Sequence, residues 1–203
     1  MLPDGATFID LLRHGEAEGG ARYRGSTDDP FTAEGWAQMW AAVREETGWD
    51  RVITSPLGRC ADFARELARC RSIPLEVNED LREMHFGTWE GRTAAALMER
   101  HPEALSRFWR DPLNHLPPGA EPLAQLRERT LRMWNSVIAR YPHQHPLIIT
   151  HGGPIRVLLG HLSGRALDPW WAIEVKHGSL YRTCIRTLGD GTLQAQVRDP
   201  ITP

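Results

Sequence analysis

The chain has 203 residues, a formal net charge of −2 and acids and bases interspersed along its length. That length suits one substantial domain, and the ordinary balance of apolar and charged residues argues against disorder as the default. No basic stripe, acidic tail or membrane-length apolar run is present, which argues against nucleic acid or a membrane as the main partner.

Read in chain order, Thr7 to Leu12 is a first strand. Thr32 to Glu46 is a helix with Thr32 as N-cap, its hydroxyl available to the free amides of the first turn. Arg51 to Thr54 is a second strand, and Ser55-Pro56 opens a helix running to about Cys70, with Leu57, Cys60, Ala61, Ala64, Leu67 and Ala68 at helical spacing. Leu75 to Val77 is a third strand. The stretch 81–122, rich in Trp, Gly and Pro, holds helical pieces and no convincing strand, and reads as a cap inserted over the rest. A helix from about Pro122 to Arg140 buries Leu123, Leu126, Thr130, Met133, Trp134 and Val137 on one face. Pro146 to Thr150 is apolar nearly throughout, as a buried central strand is, and a helix over 153–163 follows it. Ser179 to Arg186 alternates like a half-exposed strand, and the Gly189-Asp190-Gly191 turn leads into a last one. Strands alternating with helices predict an α/β fold with a mainly parallel sheet, in a single domain over 1–203. The N-terminus has no secretory signal pattern, and Cys60, Cys70 and Cys184 form no Cys-x-x-Cys pair, which together predict a cytoplasmic protein with reduced thiols.

Two strands end in a histidine followed by glycine: Leu11-Leu12-Arg13-His14-Gly15 and Ile148-Ile149-Thr150-His151-Gly152. Ligands of open α/β sheets bind beyond the carboxyl ends of the strands, and Gly15 and Gly152 let the backbone approach an anion there. A third strand leads to Arg59 in the first turn of a helix, where its charge adds to the positive end of the dipole. Two guanidiniums and two imidazoles suit a phosphoryl group better than a carboxylate. Cationic neighbours keep an imidazole neutral and nucleophilic, and phosphoryl transfer needs little beyond positioning and charge stabilisation. Glu83, among apolar neighbours, is the candidate proton donor for the leaving alkoxide, with Glu79, Asp80 and Glu90 as competing carboxylates nearby. His143-x-His145 lies between two prolines without an evident third metal ligand and reads as a solvated loop. Arg127-Glu128-Arg129 reads as the exposed face of a helix, with Arg129 able to point inward.

Leu12-Arg13-His14-Gly15-Glu16 resembles the signature of the histidine phosphatase superfamily, which includes the phosphoglycerate mutases. Further segments resemble that family in the same order: Tyr23-Arg24-Gly25 with Asp29-Pro30-Phe31-Thr32, Ser55-Pro56-Leu57-Gly58-Arg59, Leu81-Arg82-Glu83 with Phe86-Gly87-Thr88-Trp89-Glu90-Gly91, and Thr150-His151-Gly152-Gly153. The resemblance implies a three-layer α/β/α sandwich with a helical cap. It makes His14 the phosphorylated nucleophile, Glu83 the general acid and base, and Arg13, Arg59 and His151 the holders of the phosphoryl group, with Arg24 at the pocket mouth and neither metal nor cofactor required. Gly20 stands where mutases carry asparagine, the insertion is shorter than theirs, and Phe86 to Gly91 looks like the phosphatase branch. Phe63 replaces a common threonine at a position expected to face packing. Trp170-Trp171 and Gly178 to Arg182 resemble α-ribazole phosphatases most, so the expected activity is that of a histidine acid-type phosphoric monoester hydrolase on a small phosphate ester, with α-ribazole 5'-phosphate first in line. A phosphoglycerate mutase, a fructose-2,6-bisphosphatase and a non-catalytic phospho-ligand binder are the alternatives, and the sequence leaves oligomeric state open. Phe86, Trp89, Phe108 and Trp109 of the cap offer apolar surface to a bulky leaving group, or pack the cap onto the sheet.

Overall fold

A computed structural model describes residues 6–46, 48–164, 173–187 and 193–201. Its six strands are β1 (Thr7–Arg13), β2 (Arg51–Thr54), β3 (Leu75–Val77), β4 (Pro146–Thr150), β5 (Leu180–Thr187) and β6 (Leu193–Ile201). They form one sheet of order β3-β2-β4-β1-β5-β6. The first four strands are mutually parallel, while β5 runs antiparallel to β1 and β6 antiparallel to β5. The expected Gly189–Gly191 turn and Trp170-Trp171 lie outside the described residues.

The central strands are apolar on both faces because both are covered. Ile9 and Leu11 of β1, Ile53 of β2 and Ile148 of β4 pack with Met133, Trp134 and Val137 of α5 (Leu123–Arg140) and Ile155 and Leu158 of α6 (Gly152–Leu162). The alternate residues Leu12, Val52, Leu147 and Ile149 pack with Met39 and Val43 of α1 (Ala33–Val43) and Phe63 and Leu67 of α2 (Gly58–Arg71). This period-two division builds the three layers. Phe63 is fully buried, edge-on to Trp36 and Trp40 at 5.4 and 5.0 Å between ring centroids.

The cap contains α3 (Ala94–Arg100) and α4 (Pro102–Arg110), with short 3-10 turns at Glu79–Leu81 and Gly87–Trp89. Its own core of Met84, Phe86, Trp89, Leu97, Leu105 and Phe108 rests on Leu123, Leu126 and Val157. Arg129 faces inward. Its fork grips Glu121 at 2.7 and 2.8 Å, and its remaining N–H groups donate to the carbonyls of Asp80, Arg82 and Glu83.

Thr32 caps α1 as expected, its Oγ1 accepting from Gly35 N at 2.8 Å. The start of α2 differs from the sequence reading. The helix begins at Gly58, not at Ser55-Pro56, and its free amides are capped by a distant carboxylate: Asp28 accepts from Gly58 N at 2.6 Å and Arg59 N at 3.3 Å. His145 also departs from the solvated-loop reading. It is 4% exposed, its Nε2 lies 3.1 Å from Oδ2 of the fully buried Asp10, and its ring meets those of Phe8 and Trp49. Asp10 draws it in, along with Arg182 at 2.8 Å and the indole N–H of Trp49 at 2.8 Å. Burial alone would raise the Asp10 carboxyl, but hydrogen bonds from His145 and Arg182 outweigh it and hold the group below its ordinary value.

Candidate active site

The carboxyl ends of β1, β2 and β4 converge at one rim, and a cavity of about 290 Å³ opens there. Arg13, His14, Arg24 and Glu83 line it, together with Arg22, Tyr23, Phe86, Arg156 and His177.

His14, 5% exposed, sits one residue past β1. Its Nδ1 is 2.7 Å from the carbonyl of Gly15. A carbonyl only accepts, so Nδ1 carries the proton and Nε2 keeps its lone pair. Burial, then the Arg13 and Arg59 guanidiniums, hold this imidazole well below its ordinary value, so it is neutral near pH 7. Gly15 serves packing: a Cβ there would meet Gly35 O at 2.0 Å, so the lack of a side chain lets the end of β1 touch the first turn of α1.

Glu83 reaches the cavity from the cap side. Its Oε1 accepts from Met84 N at 2.8 Å and from Gly153 N, at the start of α6, at 3.0 Å. A Cβ on Gly153 would come within 2.1 Å of that oxygen, so glycine is needed for the contact. The competing carboxylates are engaged elsewhere. Glu79 pairs with Arg82, Asp80 with Arg132, and Glu90 accepts from the amides of Ser26, Thr27 and Phe86.

His151 and Arg59 stand behind this wall. Arg59 Nε–H donates to His151 Nδ1 at 3.2 Å, which puts the histidine's proton on Nε2, 2.7 Å from Ser55 Oγ. Burial first, then Arg59, holds His151 well below its ordinary value. Arg59, 1% exposed, spends its other donors on the carbonyls of Thr27 and Gly25 and on Asp28. The rings of His14 and His151 lie 5.1 Å apart. Gly152 also lies behind the wall; a Cβ there would stand 2.9 Å from Arg156 Nη1 and 3.6 Å from Arg13 Nε, so its absence makes room for two guanidiniums. Arg24 lines the cavity and is paired with Asp29 at 2.7 Å.

Of the cap aromatics, Phe86 alone lines the cavity. Trp89 and Phe108 are buried in the cap core, and Trp109 donates its indole N–H to Tyr23 OH at 2.9 Å. Tyr23 lines the cavity with its ring edge-on to Phe86 at 5.2 Å. Sequence reasoning missed His177 and Arg156. Both had a signal: His177-Gly178 repeats the histidine–glycine pairing of the other two segments, and Arg156 lies four residues past Gly152 on the same helix face. Among the described residues, no group of three or more His, Cys, Asp or Glu could hold a metal ion. No helix among them is long and apolar enough to cross a membrane.

The family model described as histidine phosphatase superfamily (branch 1) matches residues 9–195. A bifunctional protein of Mycobacterium tuberculosis is 36% identical over 181 residues, covering 87% of this chain and 47% of the relative. The chain thus spans about half the length of the first curated relatives it matches. The adenosylcobalamin/alpha-ribazole phosphatase of Escherichia coli K12 is 28% identical over 83% of this chain and 85% of its own. Among solved structures, Bacillus stearothermophilus YhfR superposes with a TM-score of 0.85 at 29% identity, covering 97% of this chain and 98% of that one. The alpha-ribazole phosphatase of Shigella flexneri superposes at 0.80 and 27% identity, covering 96% of each chain.

Proposed function

Because this chain belongs to the histidine phosphatase superfamily (branch 1), we propose that it hydrolyses small phosphate monoesters through a phosphohistidine formed on His14. The observation that carries the reading is the neutral, buried imidazole whose Nδ1 faces the Gly15 carbonyl, in one cavity with Arg13 and Glu83.

In the first step the Nε2 lone pair of His14 attacks phosphorus and the ester P–O bond breaks. Arg13 faces the charge of the phosphoryl oxygens, and protonated Glu83 gives its proton to the departing alkoxide. In the second step Glu83, now a carboxylate, takes a proton from a water that attacks the phosphohistidine. The N–P bond breaks, the electron pair returns to Nε2, and Glu83 is again protonated. Arg59, hydrogen-bonded to the neutral His151, keeps the wall beside His14 positive without exposing another nucleophile.

The leading substrate is α-ribazole 5'-phosphate. Two of the similar phosphatases carry that name, and Tyr23 and Phe86 give the cavity an apolar wall suited to a flat leaving group. A non-catalytic phosphate binder would have no use for a carboxylate in a basic cavity, so Glu83 favours turnover. The test is steady-state phosphate release in EDTA from p-nitrophenyl phosphate, α-ribazole 5'-phosphate, 3-phosphoglycerate and fructose 2,6-bisphosphate. Release that survives EDTA and vanishes in His14→Ala supports the histidine route; no release from any ester overturns the hydrolase reading. Glu83→Gln is expected to lower kcat about 10²–10⁴-fold on alkyl phosphates, and less on p-nitrophenyl phosphate, whose leaving group departs without a proton.

A further inference from the structure

Arg13 is held from two sides. Its Nη1–H donates to the carbonyl of Val175 at 2.5 Å, and its Nη2 lies 2.9 Å from Nε2 of His177. An arginine only donates, so Nε2 of His177 is the acceptor; this histidine is neutral, with its proton on Nδ1. The third guanidinium nitrogen, Nε, carries one N–H that is buried and has no partner among the described residues. It lies near the start of α6, where Gly152 has no side chain to block it. Buried N–H groups are nearly always paired, and one left open in a cavity wall is a donor awaiting an acceptor from a ligand.

The segment that supplies His177 is itself fixed. Gly178 N donates to His14 O at 3.3 Å, Arg13 N donates to Ser179 O at 3.0 Å, and Ser179 Oγ donates to Lys176 O at 2.6 Å. Gly178 takes a φ of +68°, which turns the chain sharply just before β5. The His177 ring stands 5.4 Å from that of His14 and lines the same cavity. Partial burial, then Arg13 and Arg24, lower it to about 4, which keeps it an acceptor near neutral pH.

We infer that His177 is a positioning residue for phosphoryl transfer: with the Val175 carbonyl it locks the Arg13 guanidinium so that its open Nε–H meets an oxygen of the transferring phosphoryl group. This rests on the hydrolase reading above, but its test does not need turnover. Inorganic phosphate is titrated into the full chain by calorimetry, beside KM and kcat for p-nitrophenyl phosphate. His177→Ala is expected to weaken phosphate binding roughly tenfold, the scale of one hydrogen bond to a charged group, and to raise KM by a greater factor than it lowers kcat. His177→Gln, whose amide oxygen can accept from Nη2, is expected to recover most of the loss. In an Arg13→Ala background the His177 substitution should cost little more, because residues acting through one another are not additive. Unchanged phosphate binding in His177→Ala, a glutamine no better than alanine, or full additivity with Arg13→Ala would each overturn the assignment. If the alanine variant fails to fold, the comparison of His177→Gln with His177→Leu, similar in size and differing in the acceptor, carries the same test. A protein that binds phosphate in this pattern yet releases none from esters would sink the hydrolase reading and leave the role of His177 standing.

Discussion

The rings of His151 and His177 lie 5.1 and 5.4 Å from that of His14, and for all three imidazoles burial and neighbouring guanidiniums favour the uncharged form. This has a consequence for stability with a definite sign. The unfolded chain takes up these protons near the ordinary histidine value of about 6.5, whereas the folded chain resists until His177 protonates at about 4 and the other two lower than their ordinary value. Between those limits the unfolded state binds more protons, so stability is full above about pH 6.5 and falls as the pH drops through that window. Scanning calorimetry is expected to show Tm declining steadily from pH 7 to pH 5, with a shallower decline in His177→Gln; a flat profile would contradict it. At this scale the sequence was legible wherever a residue type and its neighbours sufficed. His14 and Glu83 stood out through the order of several motifs along the chain, since a strand-end histidine, or one carboxylate among several, is by itself ordinary. Arg59 falls in the first turn of α2, as its position after the second strand implies, but its burial behind His151 depends on Gly25, Thr27 and Asp28 offering acceptors, and no local pattern encodes that.

Among the elements, α2 illustrates a rule that sequence windows miss. A helix can be capped by a side chain about thirty positions away, and Asp28 does so here. Its replacement by alanine is expected to cost about 1–2 kcal/mol, the usual worth of an N-cap, and to lower Tm by several degrees in a chain of this size. Asp28→Asn should retain most of the stability, since an amide oxygen still accepts from Gly58 N; an asparagine as harmful as alanine would shift the cause to the charge beside Arg59. Thermal melts of the three proteins decide between them. The strands were easier to read than the helix starts. Ile148 and Ile149 point to opposite faces yet are both apolar, a pattern produced by helices on both sides of a sheet. The antiparallel pairing of β5 with β1 was not readable, because alternation in Leu180–Arg186 marks a strand without giving its direction.

At the scale of the molecule, one side chain ties the cap to the scaffold. Arg129 on α5 holds Glu121 at the far end of the insertion and three carbonyls at its beginning, the last being that of Glu83 itself. Arg129→Ala would leave a largely buried carboxylate and three carbonyls without their partner, so a loss of about 3–5 kcal/mol in urea denaturation is expected. It should be accompanied by a fall in kcat as Glu83 loses its fixed backbone. Lysine should not restore either, since it cannot reproduce the planar fork; full rescue by lysine would reduce Arg129 to a point charge. The sheet order carries a different consequence, for biosynthesis. β1 is the first strand to be made, but Leu11 pairs with Ile148 on one side and with Tyr181 on the other. For most of translation, therefore, the strand leading to His14 has neither neighbour, and its apolar run Ile9, Leu11 and Leu12 is interrupted only by Asp10. A charge in the middle of such a strand discourages pairing with other nascent chains until Arg182 arrives to neutralise it and His145 to cover it. The carboxylate buried beneath the finished sheet thus protects the unfinished one.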